Sequence, residues 1–127
     1  MYKAMEDQHT GVGYLKPLDV DEFMEITLRE ADGLITAADF RCSDAEALIR
    51  CGKTLCALLP GFPVADLFLT DNNAVYYNVD PPLERHELYF ATMAVFAAKR
   101  AAANWCKKNN VPIPAGADGC SCVTEDI

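Results

Sequence analysis

Cysteines, histidines and a run of cations are the side chains here whose chemistry could go beyond packing. The sequence holds six cysteines and two histidines. Cys120 and Cys122 are one residue apart, so both thiolates could reach one soft metal ion or carry redox chemistry. A closed zinc site needs four ligands. Cys106 is a possible third, but neither histidine lies near it in sequence. Cys51 and Cys56 do not add to the set, because five helical residues turn the chain by about 140° and put them on different faces. Cys42 falls in a connection. The thiols therefore read as ordinary buried or tail cysteines, reduced in a cytoplasm, and no metal is assigned.

A Cys–His nucleophile pair needs a positioned histidine. His9 falls in an N-terminal arm and His86 in the first turns of a helix, where it faces solvent or caps a neighbouring contact. Neither a Gly-x-Ser-x-Gly elbow nor a His-Glu-x-x-His pair occurs. Gly11-Val12-Gly13 is no phosphate loop, because no third glycine and no Lys-Ser/Thr follow it. No catalytic or cofactor-binding residue is assigned, and the expectation is a protein that is not an enzyme. Lys99, Arg100, Lys107 and Lys108 cluster, with Arg100 and Lys107 on one helix face. They could touch phosphates, but complementing the carbonyl end of a helix explains them equally well.

Charge decides that choice. The 127 residues carry 19 acids and 11 bases, a net charge of −8. Broad gripping of nucleic acid needs clustered cations on a positive surface, so it is excluded as the expectation. Hydrophobic residues at 51% and charged residues at 24% fit a soluble globular protein. The opening residues bring acids where a signal peptide needs an apolar run, and the uncharged stretch 88–98 is about half the length of a bilayer span. The expectation is therefore a protein made in a cytoplasm, with no membrane partner.

The elements follow from periodicity and caps. Residues 1–18 read as an arm. A first helix is expected over 19–32: Asp19 with Glu22 is a capping pair, Val20, Phe23, Met24, Thr27, Leu28 and Ala31 recur at helical spacing, and Gly33 stops it. Residues 33–42 connect. Ser43-Asp44-Ala45-Glu46 is a capping box that opens a second helix, which Pro60-Gly61 ends. Residues 62–79 read as a small β-hairpin around Asp71-Asn72-Asn73, with a helical turn through Val64–Leu69 as the competitor. A third helix starts at Asp80, with Pro81 at its first position, and runs to about Lys108. Phe90, Met93 and Phe96 are its expected buried residues. Its apolar surface exceeds one stripe, and seven alanines between Ala91 and Ala103 permit close approach of a neighbour, so it is either central or partly covered by another subunit. Residues 109–127 read as an extended tail, and both ends are expected to be mobile until assembly. The fold class expected is mainly α: one domain over 1–127, with a 19–108 core of three main helices, a short β-hairpin or extended segment, and flexible arms.

The order of parts, and above all residues 66–104 with Asp66-Leu67-Phe68-Leu69-Thr70-Asp71-Asn72-Asn73, Asp80-Pro81-Pro82-Leu83 and Tyr89 through Ala98, resembles the head–tail adaptor (connector, or neck) proteins of tailed bacteriophages. The likeness covers 19–108 loosely, and the six cysteines depart from it. The resemblance implies a virion structural subunit forming a homo-oligomeric ring of about twelve copies. That ring would dock onto the portal protein, meet tail or stopper proteins, and let DNA pass without specific binding. No catalytic residues come with such a family. The alternative is a small acidic cytoplasmic helical interaction or regulatory domain; a thiol- or metal-dependent enzyme is the third hypothesis.

Overall fold

The computed structural model describes residues 8–113. Three strands come first: β1 (Thr10–Leu15), β2 (Met24–Ala31) and β3 (Leu34–Cys42). They form an antiparallel sheet in the order β1-β2-β3. Helix α1 (Glu46–Leu58) follows, then a 3-10 turn (Val64–Leu69), the short helix α2 (Asn73–Tyr76), a second 3-10 turn (Arg85–Glu87) and the long helix α3 (Leu88–Lys108). The fold is a mixed α/β layer pair, not the mainly α bundle that the periodicity suggested.

The expected first helix is the origin of that difference. Met24, Ile26 and Leu28 are buried while Glu25, Thr27 and Arg29 are not, a period of two and not 3.6. Asp32 and Gly33, read as a helix stop, form the turn between β2 and β3. Both have positive φ, 56° and 83°, as a type I′ hairpin turn requires. The supposed connection 33–42 is therefore a strand, and part of the supposed arm, Thr10–Leu15, is an edge strand. β3 carries one extra residue where the register shifts opposite Arg29 and Glu30, a bulge that bends the sheet.

One face of the sheet is apolar. Gly11, Gly13 and Leu15 align with Leu28, Ile26 and Met24, which in turn align with Ala38, Phe40 and Cys42. α3 packs across β1 and β2 on this face, and α1 packs on β3. The alanines of α3 meet this sheet: Ala97 and Ala101 lie against Gly13 and Gly11. The apolar excess of α3 is thus covered by the chain's own sheet and α1. Met93 is fully buried, but Phe90 and Phe96 only flank the core.

Two further boundaries moved. The Ser43 hydroxyl does not cap α1; it accepts the Phe23 N–H at 3.1 Å, and Ala45 occupies the cap position with no side-chain bond. The third helix begins at Leu88 and not at Asp80, preceded by a turn in which the Glu84 N–H donates to Glu87 Oε1 at 3.0 Å. The hairpin expected in 62–79 is absent. Its competitor, a helical turn through Val64–Leu69, forms as a 3-10 turn, and α2 follows. The expected tail lies outside the described residues from 114 onward. Of its start, Val111 and Ile113 pack against the core.

Candidate functional site

The thiols are divided by the fold. Cys51 and Cys56 lie on α1, Cys106 on α3 and Cys42 at the end of β3, all as free thiols. Burial pushes Cys51 up to about 11 and Cys56 up to about 12. Cys106 is raised by burial too, and Cys42 by burial and then by the Asp44 carboxylate. A raised pKa removes the thiolate, which is the form that attacks and ligates. Cys120 and Cys122 lie outside the described residues. Among the described residues no group of three or more His, Cys, Asp and Glu side chains is placed to hold a metal ion.

The two histidines lie apart. His86 sits in the 3-10 turn before α3, largely exposed, 3.8 Å from Glu84 and 3.9 Å from Glu87. His9 bonds through Nδ1 to Glu30 Oε1 at 3.0 Å. Glu30 is the one buried charged residue of the described core. Its carboxylate also accepts the Trp105 indole N–H at 2.8 Å and the Gly33 N–H at 2.8 Å. Burial alone would raise its pKa, but the donors from Gly33, Trp105 and His9 outweigh that and lower it. Glu30 thus ties the β2–β3 turn, α3 and the chain before β1 into one polar knot, and its role is structural.

Lys107 and Lys108 do lie in the last turn of α3, where they complement its carbonyl end, but two of the four cations also bond the neighbouring strand. Arg100 Nη1 donates to the Tyr14 carbonyl at 2.8 Å, and Lys108 Nζ to the Thr10 carbonyl at 2.9 Å. Between them the Val12 N–H donates to Asn104 Oδ1 at 2.9 Å. One stripe of α3 therefore covers the outer edge of β1 and bonds one backbone group at each of Thr10, Val12 and Tyr14, on a row that would otherwise invite another strand. Sequence reasoning placed these cations on one element but not their partners, because β1 was not recognised as a strand.

A second charged cluster joins α1 to the start of α3. The Arg50 guanidinium pairs with Glu46 on its own helix, lies 3.5 Å from Glu87 and donates to the Pro81 carbonyl at 3.1 Å. Those contacts hold segment 80–87 against α1 and so fix where α3 begins.

A feature with room for a partner lies next to it. Asn72, Asn73 and Tyr76 of the α2 region face Leu88, Tyr89, Ala91 and Thr92 across an open cleft of about 320 Å³. Asn72 Nδ2 donates to Thr92 Oγ1 at 2.8 Å and braces the two sides. The rim is apolar and aromatic: Tyr76, Leu88 and Tyr89 are each about two-fifths exposed, and the adjoining Tyr77 is 74% exposed, edge-on to Tyr76. Leu69, just before α2 in the chain, is 84% exposed. The Tyr89 hydroxyl is raised by partial burial and then by the Asp19 carboxylate of the β1–β2 loop. Tyr and Asn around an apolar floor suit recognition more than bond-breaking.

Compared with known proteins, the chain matches no family model and no curated relative. No helix among the described residues is long and apolar enough to cross a membrane.

Proposed function

We propose that this chain is a docking module, a protein that works by seating a partner on the face made by α2 and the first turns of α3. The carrying observation is the cleft rim: Tyr76, Leu88 and Tyr89 stay partly exposed around one opening, with the exposed Tyr77 ring edge-on to Tyr76. Aromatic side chains with a wet edge are the residues that dominate protein interfaces. The polar groups that could serve catalysis are occupied structurally. Glu30, Arg50, Arg100 and Lys108 are bonded within the fold, and burial keeps the described thiols protonated.

The narrower proposal, a head–tail adaptor docking onto a portal, loses the support of residues 19–42, which form strands where the resemblance takes a helix and its connection. It rests on the residues of 66–104, where the extended segment is replaced by a 3-10 turn and α2 and the long helix starts at Leu88.

Site-specific photo-crosslinking separates these readings. A photoreactive residue at position 77 or 89 is expected to give a discrete adduct with a partner protein, and the same residue at Lys99 is not. An adduct with a portal or tail protein supports the virion form, and a self-adduct supports a homo-oligomer. Equal yields from the cleft and from Lys99, or no adduct from the cleft, overturn the docking function.

A further inference from the structure

The two edges of the sheet differ. At β1 the outward groups belong to Thr10, Val12 and Tyr14, and α3 bonds one at each residue: the Thr10 and Tyr14 carbonyls and the Val12 N–H. Alternation then assigns Gly11, Gly13 and Leu15 to bonding with Leu28, Ile26 and Met24. It leaves Arg29, Thr27 and Glu25 to bond to Ala37, Asp39 and Arg41. The N–H and C=O groups of Ala38 and Phe40 therefore point out of the opposite edge. Among the described residues they have no hydrogen-bond partner. The edge is closed only at its start, where the Ile35 N–H donates to the Phe62 carbonyl and the Ile35 carbonyl accepts the Gly61 N–H. Residues 38–42 form the open window.

We propose that this window pairs with its own copy, β3 against β3 across a two-fold axis at Phe40, to make a continuous six-stranded antiparallel sheet. The sequence of the window is self-complementary in that register. Phe40 faces the partner's Phe40, and Ala38 faces the partner's Cys42, so the partner's window is used in full. Asp39 faces the partner's Arg41, and Arg41 the partner's Asp39, on the solvent side of the sheet. Those are non-hydrogen-bonded positions, where Cα atoms approach to about 4.5 Å and side chains interact most closely. Asp39 is exposed, and the Arg41 side chain is 66% exposed although it bonds Glu25 at 2.9 Å, so both can still take a second partner. Shifting the axis to Asp39 would set two carboxylates opposite each other. Shifting it to Ala38 would set Arg41 against Ile35, whose edge groups are already used. Charges on an edge strand usually repel a second strand. Here they have opposite sign two residues apart, which an antiparallel copy reads as attraction.

Phe40 adds an apolar contact. It is half-buried on the inner face, seated against Gly52, where a side-chain carbon would lie 2.6 Å from its ring. Two such rings across the axis extend the core from one copy to the next.

Sedimentation analysis of the full chain under reducing conditions tests the pairing. Wild type is expected to show a concentration-dependent dimer. Asp39→Arg alone, or Arg41→Asp alone, weakens it by about tenfold or more by setting like charges opposite. The double variant Asp39→Arg/Arg41→Asp restores it, because the pairs re-form with sign exchanged. Arg41→Asp also loses Glu25, so Asp39→Arg is the single variant to rely on if Arg41→Asp unfolds. Hydrogen exchange gives a second readout: the Ala38 and Phe40 amides gain protection as concentration rises, and the Val12 amide does not change. A chain that stays monomeric at all concentrations overturns the proposal. So does a dimer unaffected by Asp39→Arg, a double variant that is folded by circular dichroism yet does not recover, or a dimer whose Ala38 and Phe40 amides stay unprotected.

Discussion

Gly13 lies so close under Ala97 that a side-chain carbon on it would sit 2.1 Å from the Ala97 carbonyl oxygen. β1 and α3 touch backbone to backbone there, which is why glycine on the strand faces alanine on the helix. Gly13→Ala should therefore cost about 3 kcal/mol, the upper part of the overpacking range, since helix backbone must move. Gly33→Ala offers the contrast. Nothing lies within 4 Å of its added carbon, and only the φ of 83° opposes it, so about 1 kcal/mol is expected. Equal losses in urea unfolding would contradict the close approach.

Met93 and Phe96 should rank opposite to their size. Met93 is fully buried and Phe96 only partly. Met93→Ala should cost about 3 kcal/mol, within the range for buried large-to-small changes, and Phe96→Ala less. A larger shift of the urea midpoint for Phe96→Ala would show that the core is centred elsewhere.

Glu30 links stability to pH. Its folded pKa lies below the ordinary 4.5, so the folded state favours the carboxylate. The stabilisation is present above the unfolded value and is lost as pH falls below 4.5 through the folded value. Glu30→Gln removes that ionisation, so the gap between wild type and variant should be widest near neutrality and shrink in acid. Denaturant titrations from pH 7 to pH 3 that show a constant gap would rule out the linkage. Glu30→Ala should be harsher, by about 1–3 kcal/mol, because it strands the Trp105 and Gly33 donors.

The buried thiols should be slow. With Cys51 near 11 and Cys56 near 12, little thiolate exists at pH 7. Alkylation mapped by mass spectrometry should reach Cys42 before Cys51, Cys56 and Cys106, and denaturant should abolish the difference. Rapid native modification of Cys51 would mean that α1 opens.

The sequence was most legible where one local rule acted alone. Pro60-Gly61 did end the helix now called α1, and the end of α3 at Lys108 was readable from Asn109-Asn110. Where two rules competed, the wrong one was followed. Val20, Phe23, Met24, Thr27 and Leu28 satisfy a helical period, yet Met24, Ile26 and Leu28 also alternate, and Asp32-Gly33 is a hairpin turn as readily as a helix stop. Ser43 carried a capping signal that the Phe23 N–H claimed instead. The cleft could not be read at all. It joins Asn72 to Thr92 across twenty residues of chain, and Tyr76 and Tyr77 fit alternating strand positions as well as the end of α2. The expected alanine contact was legible, but its partner was not: the helix meets its own β1.

Arg100, Asn104 and Lys108 step along α3 by four residues while Tyr14, Val12 and Thr10 step along β1 by two. Four helical residues advance about 6.0 Å and two strand residues about 6.6 Å. The two rulers nearly agree, like a vernier, and drift by about 0.6 Å per rung. Three rungs accumulate only about 1.2 Å, which long side chains absorb. Inserting one residue in either element would throw every later rung out of phase, on the helix by turning it about 100° and on the strand by reversing its outward groups. Four extra helical residues placed with two extra strand residues would keep step. The lengths of β1 and α3 are therefore locked to each other, and indels in this chain should be found in its turns and in the 59–87 segment, not along this seam.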